Sequence, residues 1–229
     1  MIYARCGYNR NTARKIMSAP AELSGGGFTP LDVTANAGRV LHFVRNWRTP
    51  TENIGKIIRI VYAWTQSNAG TSFALFESPE IELPHLCGRV IPTIREFLCE
   101  ISGEIVLDNT FIQPKLRTND ICIMDKAIRM SFTKNQLERI NAVREWYNVM
   151  WLSEICTFDG LSIRPGVMFG HEEDVPYTRR SSGPKQDLPN SYSWKFWRKV
   201  LSSFTEEDDG AFLKRPLGDW TSSHSKYGI

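Results

Sequence analysis

Apolar residues recur along most of this chain at three- and four-residue steps, the period that places side chains on one face of an α-helix. Val33, Ala37, Val40, Leu41, Val44 and Trp47 form one such stripe, and Ile54, Ile57, Ile58, Val61 and Trp64 form another. Both stripes are expected to face a core. Between them Thr49-Pro50-Thr51-Glu52 reads as a helix start, with Thr49 as the cap, Pro50 in the first turn and Glu52 reaching back to the cap. The second helix is expected to reach about Gln66, with Gly70 just beyond its end.

Further along, Pro79 and Pro84 predict a loop, and Ile94, Phe97, Leu98 and Ile101 restore helical spacing after Pro92, which starts or kinks that helix. Glu104 to Asp108 alternates like a brief strand. Asn119 or Thr118 caps a stretch with Ile121, Met124, Ala127 and Ile128, and Thr133-Lys134-Asn135-Gln136 is a capping box ahead of Leu137, Ile140, Val143 and Tyr147. Strand formers in residues 149–156, followed by Asp159-Gly160, predict a small β-hairpin near 149–165. Residues 171–193 are poor in apolar side chains and read as a linker, after which Ser193 caps a helix bearing Trp194, Trp197, Leu201 and Phe204 on one face. The pattern as a whole predicts a mainly α fold, a helical bundle with one hairpin and a short carboxy-terminal helix after the linker. The segments are 1–30, a basic loop-rich entry; 31–170, the helical domain; 171–193, the linker; and 194–229, the terminal helix and tail.

The chain has 229 residues, 41% of them apolar and 23% charged, which is enough apolar content for a packed core and excludes disorder of the whole. No window has the run of about 18 apolar residues that a membrane span needs, and the first ten residues lack the apolar core of a secretory signal. No membrane association and an intracellular location, in cytoplasm or nucleus, are therefore expected. Five scattered cysteines without a C-x-x-C pair and four scattered histidines predict neither disulfide scaffold nor metal site. Cys99 and Cys122 read as small buried hydrophobes.

Candidate chemistry is sparse. Glu172-Glu173-Asp174 and Glu206-Glu207-Asp208-Asp209 are the adjacent acids a two-metal nuclease would use, but they lie in polar surroundings that read as solvated surface. There is no G-x-S-x-G elbow, and Gly25-Gly26-Gly27-Phe28 lacks the lysine of a phosphate loop, so no catalytic residue and no cofactor is assigned. Charge distribution says more than the net +3. Residues 1–64 hold nine Lys/Arg against three acids, and the rest of the chain is mildly acidic. Arg45 and Arg48 lie one turn apart beside Trp47, and Lys56 and Arg59 one turn apart on the next helix. With Arg5, Arg10, Arg14 and Lys15 they form the candidate nucleic-acid-binding set, since a phosphate backbone rewards clustered cations through counterion release. Residue physics alone leaves an ordinary solvated basic face as an equal alternative.

The motifs add a resemblance. Cys6-Gly7-Tyr8-Asn9-Arg10-Asn11-Thr12, Ala19-Pro20 and Leu23 ahead of Gly25-Gly26-Gly27-Phe28-Thr29-Pro30-Leu31 resemble the segment after the polymerase core of retroelement-encoded, non-LTR, LINE-like reverse transcriptases. Leu41 to Thr49, and the Gln66-containing helix ending at Gly70, look like the family's next elements. Asp120-x-x-x-Met124-Asp125, the helix with Gln136, Ile140, Asn141 and Arg144, Leu152-Ser153-Glu154-Ile155, and Asp159-Gly160 look like its later landmarks. Ser193-Trp194-x-x-Trp197-Arg198 and Pro216-Leu217-Gly218-x-Trp220 look like its end region. The likeness covers roughly residues 5–220. The Tyr/Phe-x-Asp-Asp turn of the polymerase palm is absent, because Asp208-Asp209 follows Thr205-Glu206-Glu207. The resemblance thus implies a thumb-like, non-catalytic fragment that is no enzyme by itself and binds RNA or an RNA–DNA hybrid, with a polymerase palm module as a further partner. A rival expectation is a helical protein-interaction module whose Trp146, Trp151, Trp194 and Trp197 face a partner.

Overall fold

A computed structural model describes residues 18–20, 22, 27, 29–170, 188–206 and 211–221. Its helices are α1 (Leu31–Trp47), α2 (Asn53–Ala69), α3 (Val90–Glu100), α4 (Ile123–Arg129), α5 (Lys134–Tyr147), α6 (Pro165–Phe169) and α7 (Ser191–Ser202), with a 3-10 turn at Leu152–Ile155. The protein is mainly α, as its periodicity predicts, and no sheet forms among the described residues. Contacts group the chain into two compact units, residues 1–59 and 60–229, which meet inside α2.

In the first unit α1 buries Phe43 and Trp47, whose rings stack 5.6 Å apart. Val33 and Leu41, expected in a core stripe, are exposed. The α1–α2 connection also departs from expectation. Thr49 does not cap α2; its Oγ1 donates to Asn46 O at 3.1 Å, and α2 begins only at Asn53. Gly55 is buried against this turn, where a Cβ would land on Thr49 O and 2.7 Å from Asn46 O, so the first turn of α2 can approach the loop only with glycine there.

The second correction concerns α2. Ile54, Ile57, Val61 and Trp64 are 39–58% exposed, whereas the same helix buries Tyr62, Thr65, Gln66 and Ala69. The apolar stripe faces outward and a mixed polar face is packed. The reason lies at the carboxy-terminal end of α2, where polar side chains bind polypeptide. Gln66 Nε2 donates to Phe73 O at 3.0 Å and its Oε1 accepts from Leu75 N at 3.1 Å, fixing the turn that follows the helix.

That end is clamped by Arg144 of α5. Its Nη2 donates to Ser67 O at 2.8 Å and Asn68 O at 3.2 Å, its Nη1 to Val149 O at 3.3 Å, and its Nε to Asn141 Oδ1 at 2.7 Å. Asn141 Nδ2 donates to Asn68 O at 2.9 Å. A helix carboxy-terminus carries unpaired carbonyls and partial negative charge, and a buried guanidinium answers both. Gly70 ends the helix with φ +64°, and a Cβ there would sit 2.6 Å from Arg144 Nε. Around the clamp, Cys122 Sγ donates to Gly70 O, His85 Nε2 meets Ala69 O at 3.1 Å, and Asp125 accepts from Ser72 N and Oγ.

The main core of the second unit is aromatic. Tyr147 packs at 5.7 Å from Trp194 and 6.1 Å from Trp197, and Trp146 meets Trp194 edge-on at 5.6 Å. Tyr147 OH and Trp197 Nε1 both donate to Val167 O, which ties α5, α6 and α7 together. Trp146, Trp151, Trp194 and Trp197 are all buried, so they are core side chains and not a surface for a partner. Helix α7, placed by the sequence beyond a linker, is built into this core; its cap is Asn190, whose Oδ1 accepts from Ser193 N at 3.0 Å, not Ser193. Residues 171–187 of the expected linker lie outside the described residues.

The hairpin expectation is corrected in part. Residues 152–155 wind into the 3-10 turn because Glu154 Oε2 accepts from Met150 N at 2.6 Å and Trp151 N at 2.8 Å, which pulls the chain out of an extended course. Only single bridges remain in this stretch, Cys156 with Ile163, Cys122 with Trp151 and Ser162 with Phe212, although the Asp159-Gly160 turn between Cys156 and Ile163 does form, with Gly160 at φ +73°. The 104–108 stretch forms no strand, and of the two cysteines read as buried, Cys99 is exposed.

Two outcomes follow from the clamp. Arg144→Met, which strands the carbonyls of Ser67 and Val149 and leaves Asn68 O with Asn141 Nδ2 alone, should lower stability by about 3–5 kcal/mol in urea unfolding. His85 is buried, and desolvation lowers its pKa from 6.5, with Arg144 and Arg95 adding to the shift. The folded state then binds fewer protons than the unfolded one as pH falls through 6.5, so the stability present above that value is lost below it. The melting temperature should drop from about pH 7.5 to about pH 5.5, and the drop should shrink in His85→Gln, which keeps a donor for Ala69 O.

Candidate nucleic-acid interface

Helix α7 has two faces. Trp194, Trp197, Val200 and Leu201 point into the core, which leaves Tyr192, Lys195, Phe196 and Lys199 at i, i+3, i+4 and i+7 on the opposite side. Tyr192 is 64% exposed, Lys195 and Lys199 are exposed, and Phe196 is half-buried. Neighbouring elements extend the strip. Arg139 of α5 lies over the Tyr192 ring at 5.5 Å and donates from Nη1 to Asn190 Oδ1 at 3.2 Å. Lys199 lies over Phe132 at 5.4 Å, and Phe132 meets Phe196 edge-on at 6.2 Å. Lys126 sits over Phe204 at 6.0 Å, and Arg198, to one side, over the exposed Phe169 at 5.5 Å.

Cations resting on aromatic faces are already restricted, so they lose less side-chain freedom when they meet a phosphate. Alternating cations and rings also match the two parts of a single strand, charged backbone and stackable bases. The tryptophans on the other face of α7 serve this strip by anchoring the helix that presents it.

The expected set is distributed differently. Arg5, Arg10, Arg14 and Lys15 lie outside the described residues. Arg45, Arg48 and Lys56 are exposed in the first unit. Arg59 turns inward: its guanidinium lies 4.4 Å over the Trp47 ring and donates to Trp47 O from Nε at 3.3 Å and Nη2 at 2.9 Å, which corrects its assignment as a free cation beside Lys56. Charge summed over long stretches hides the α7 strip, because the acids at 206–209 cancel Lys195, Arg198 and Lys199. Its signal was the Tyr-x-x-Lys-Phe-x-x-Lys spacing opposite the tryptophans.

The landmark polar residues are spent on structure. Asp120 accepts from Ser153 N at 3.0 Å and Ser153 Oγ at 2.6 Å, and Asp125 accepts from Ser72 N at 3.1 Å, while the landmark Trp220 lies under the guanidinium of Arg117 at 4.5 Å. Burial pushes the thiols of Cys122 and Cys156 up to about 12, far from the thiolate a nucleophile needs. Among the described residues no group of three or more His, Cys, Asp or Glu is placed to hold a metal ion, and no helix is long and apolar enough to cross a membrane. The run 172–174 and residues 207–209 of the second acidic run lie outside the described residues. Neither a protein-family model, nor a curated protein, nor a solved structure matches the chain.

Proposed function

We propose that this chain is a non-catalytic nucleic-acid-binding module, of the kind that follows the polymerase core in LINE-like reverse transcriptases, and that it holds RNA or an RNA–DNA hybrid. The observation that carries the reading is the cation–aromatic strip of α7, with Arg139 on Tyr192 and Lys199 on Phe132. The exposed Arg45, Arg48 and Lys56 support it as a separate set in the first unit. The motif resemblance supplies the family context. Binding through phosphate neutralisation has a diagnostic signature in salt. A contact to about three phosphates loses roughly fortyfold in affinity between about 50 and about 200 mM salt. Fluorescence anisotropy with a labelled RNA–DNA hybrid should show such a loss, and changing Arg139, Lys195 and Lys199 together to Ala should weaken binding and flatten the salt slope. Affinity that ignores salt, or that survives both this triple change and removal of Arg45, Arg48 and Lys56, overturns the reading.

One observation favours a second reading, a protein-interaction module. The part of α2 in the second unit, with Ile60, Val61 and Trp64 exposed, is apolar surface of a kind that protein contacts commonly cover. Under this reading size-exclusion chromatography with light scattering gives a stable protein complex insensitive to salt and nucleic acid, and Val61→Lys with Trp64→Lys abolishes it.

A further inference from the structure

The second unit holds an open groove of about 530 Å³ between α3 and the loop that precedes it. Ile81, Leu83, Leu86 and Pro92 give it an apolar lining, with Leu83 buried and Ile81, Leu86 and Pro92 half-buried. Its rim is acidic. Glu80 and Glu82 project from the loop, and Glu96 and Glu100, one turn apart on α3, from the helix; all four are exposed. The cation in the wall, Arg95, is only 4% exposed, and its guanidinium is committed to the carbonyls of Leu75, Ser78 and Ile81. It therefore holds the groove's shape, and although its charge partly offsets that of Glu80, four carboxylates against one buried cation leave the opening net negative.

We infer that this groove docks a basic segment of a partner protein, one that alternates Arg or Lys with large apolar side chains. Charge complementarity selects the occupant. A phosphate backbone is repelled by the four glutamates, which separates this surface from the cation–aromatic strip on the same unit. A metal ion does not suit it, since no three ligating groups converge there. A purely apolar segment would bury no partner for the rim. An alternating segment places apolar side chains on Ile81, Leu83 and Leu86 and its cations on Glu80, Glu82, Glu96 and Glu100. Pro79, Pro84 and Pro92 in the walls, with Arg95 gripping three carbonyls, make the groove pre-organised, so little ordering cost accompanies docking.

The test uses the full chain and a short fluorescein-labelled peptide alternating arginine and leucine, with a glutamine–leucine peptide as control. The arginine peptide should bind and the control should not. Changing Glu80, Glu82, Glu96 and Glu100 together to Gln should weaken binding at least about tenfold, while circular dichroism and RNA–DNA hybrid binding stay as in the parent. Exposed Cys99 lies in the groove and gives a second readout with all four glutamates intact. In a Cys6→Ser, Cys87→Ser background the arginine peptide should slow alkylation of Cys99. Equal binding by the quadruple variant, equal binding of the glutamine peptide, or no protection of Cys99 overturns the inference. Because hybrid binding is followed in the same variant, this failure is distinct from failure of the proposed function.

Discussion

The second unit depends on one buried side chain. Arg144 collects four oxygen acceptors from the end of α2, from the segment after α5 and from Asn141. Taking a guanidinium out of water costs several kcal/mol, and its pKa falls accordingly; the hydrogen bonds, the negative potential of the helix terminus and the Glu145 carboxylate 3.5 Å away offset that cost. The clamp sets where α2 ends, orients α5 and leaves Gly70 as the residue that fits between them. Gln66, Asp125 and His85 then bind the chain that leaves α2, which organises residues 70–75 before α3 begins.

This polar anchoring explains why α2 is turned the way it is. Hydrophobic burial alone would point Val61 and Trp64 inward, and moving such side chains out of water is worth about 1.5–3 kcal/mol each. Rotating the helix to do so would bury no acceptor for Arg144 and would leave Gln66 and Thr65 outside. The polar face wins because a stranded guanidinium and unpaired helix-end carbonyls cost more than exposed aliphatic surface. The outward stripe is the consequence, and it is apolar surface that a binding module can use.

Opposite charge is laid out on the second unit by the same local rule. On α7 the tryptophans take one side, so Lys195 and Lys199 take the other, next to rings that hold them. On α3 Ile91, Ile94 and Phe97 take the core side, and Glu96 and Glu100 line the groove. Each helix presents its charged face because its apolar face is occupied. A net charge of only +3 therefore coexists with two surfaces of opposite sign.

Much of this was legible from residue order. Helix spacing located α3, α5 and α7 closely, because those helices are amphipathic against a core within their own unit, and the capping box, with Gln136 accepting from Thr133 N, fixed the start of α5. The tryptophan face of α7 and the glycine turn at Gly160 were equally local. The expected core faces of α3, α5 and α7 are buried, whereas the faces of α1 and α2 and the side chain of Arg59 turn otherwise than their spacing suggests. Periodicity shows that α2 has an apolar side but not that Arg144, far away in sequence, claims the other side; charge counts show Arg59 but not that it folds onto Trp47. Residues 152–155 have strand-forming composition, yet Glu154 binding Met150 N and Trp151 N turns them into a 3-10 segment. The amino-acid sequence by itself determined the helices, their length and their amphipathic character, since these follow from bonds within a few residues. Tertiary structure decided orientation, the cation–aromatic strip and the acid-rimmed groove, because a buried charge must be satisfied by whatever polar groups the rest of the chain brings to it.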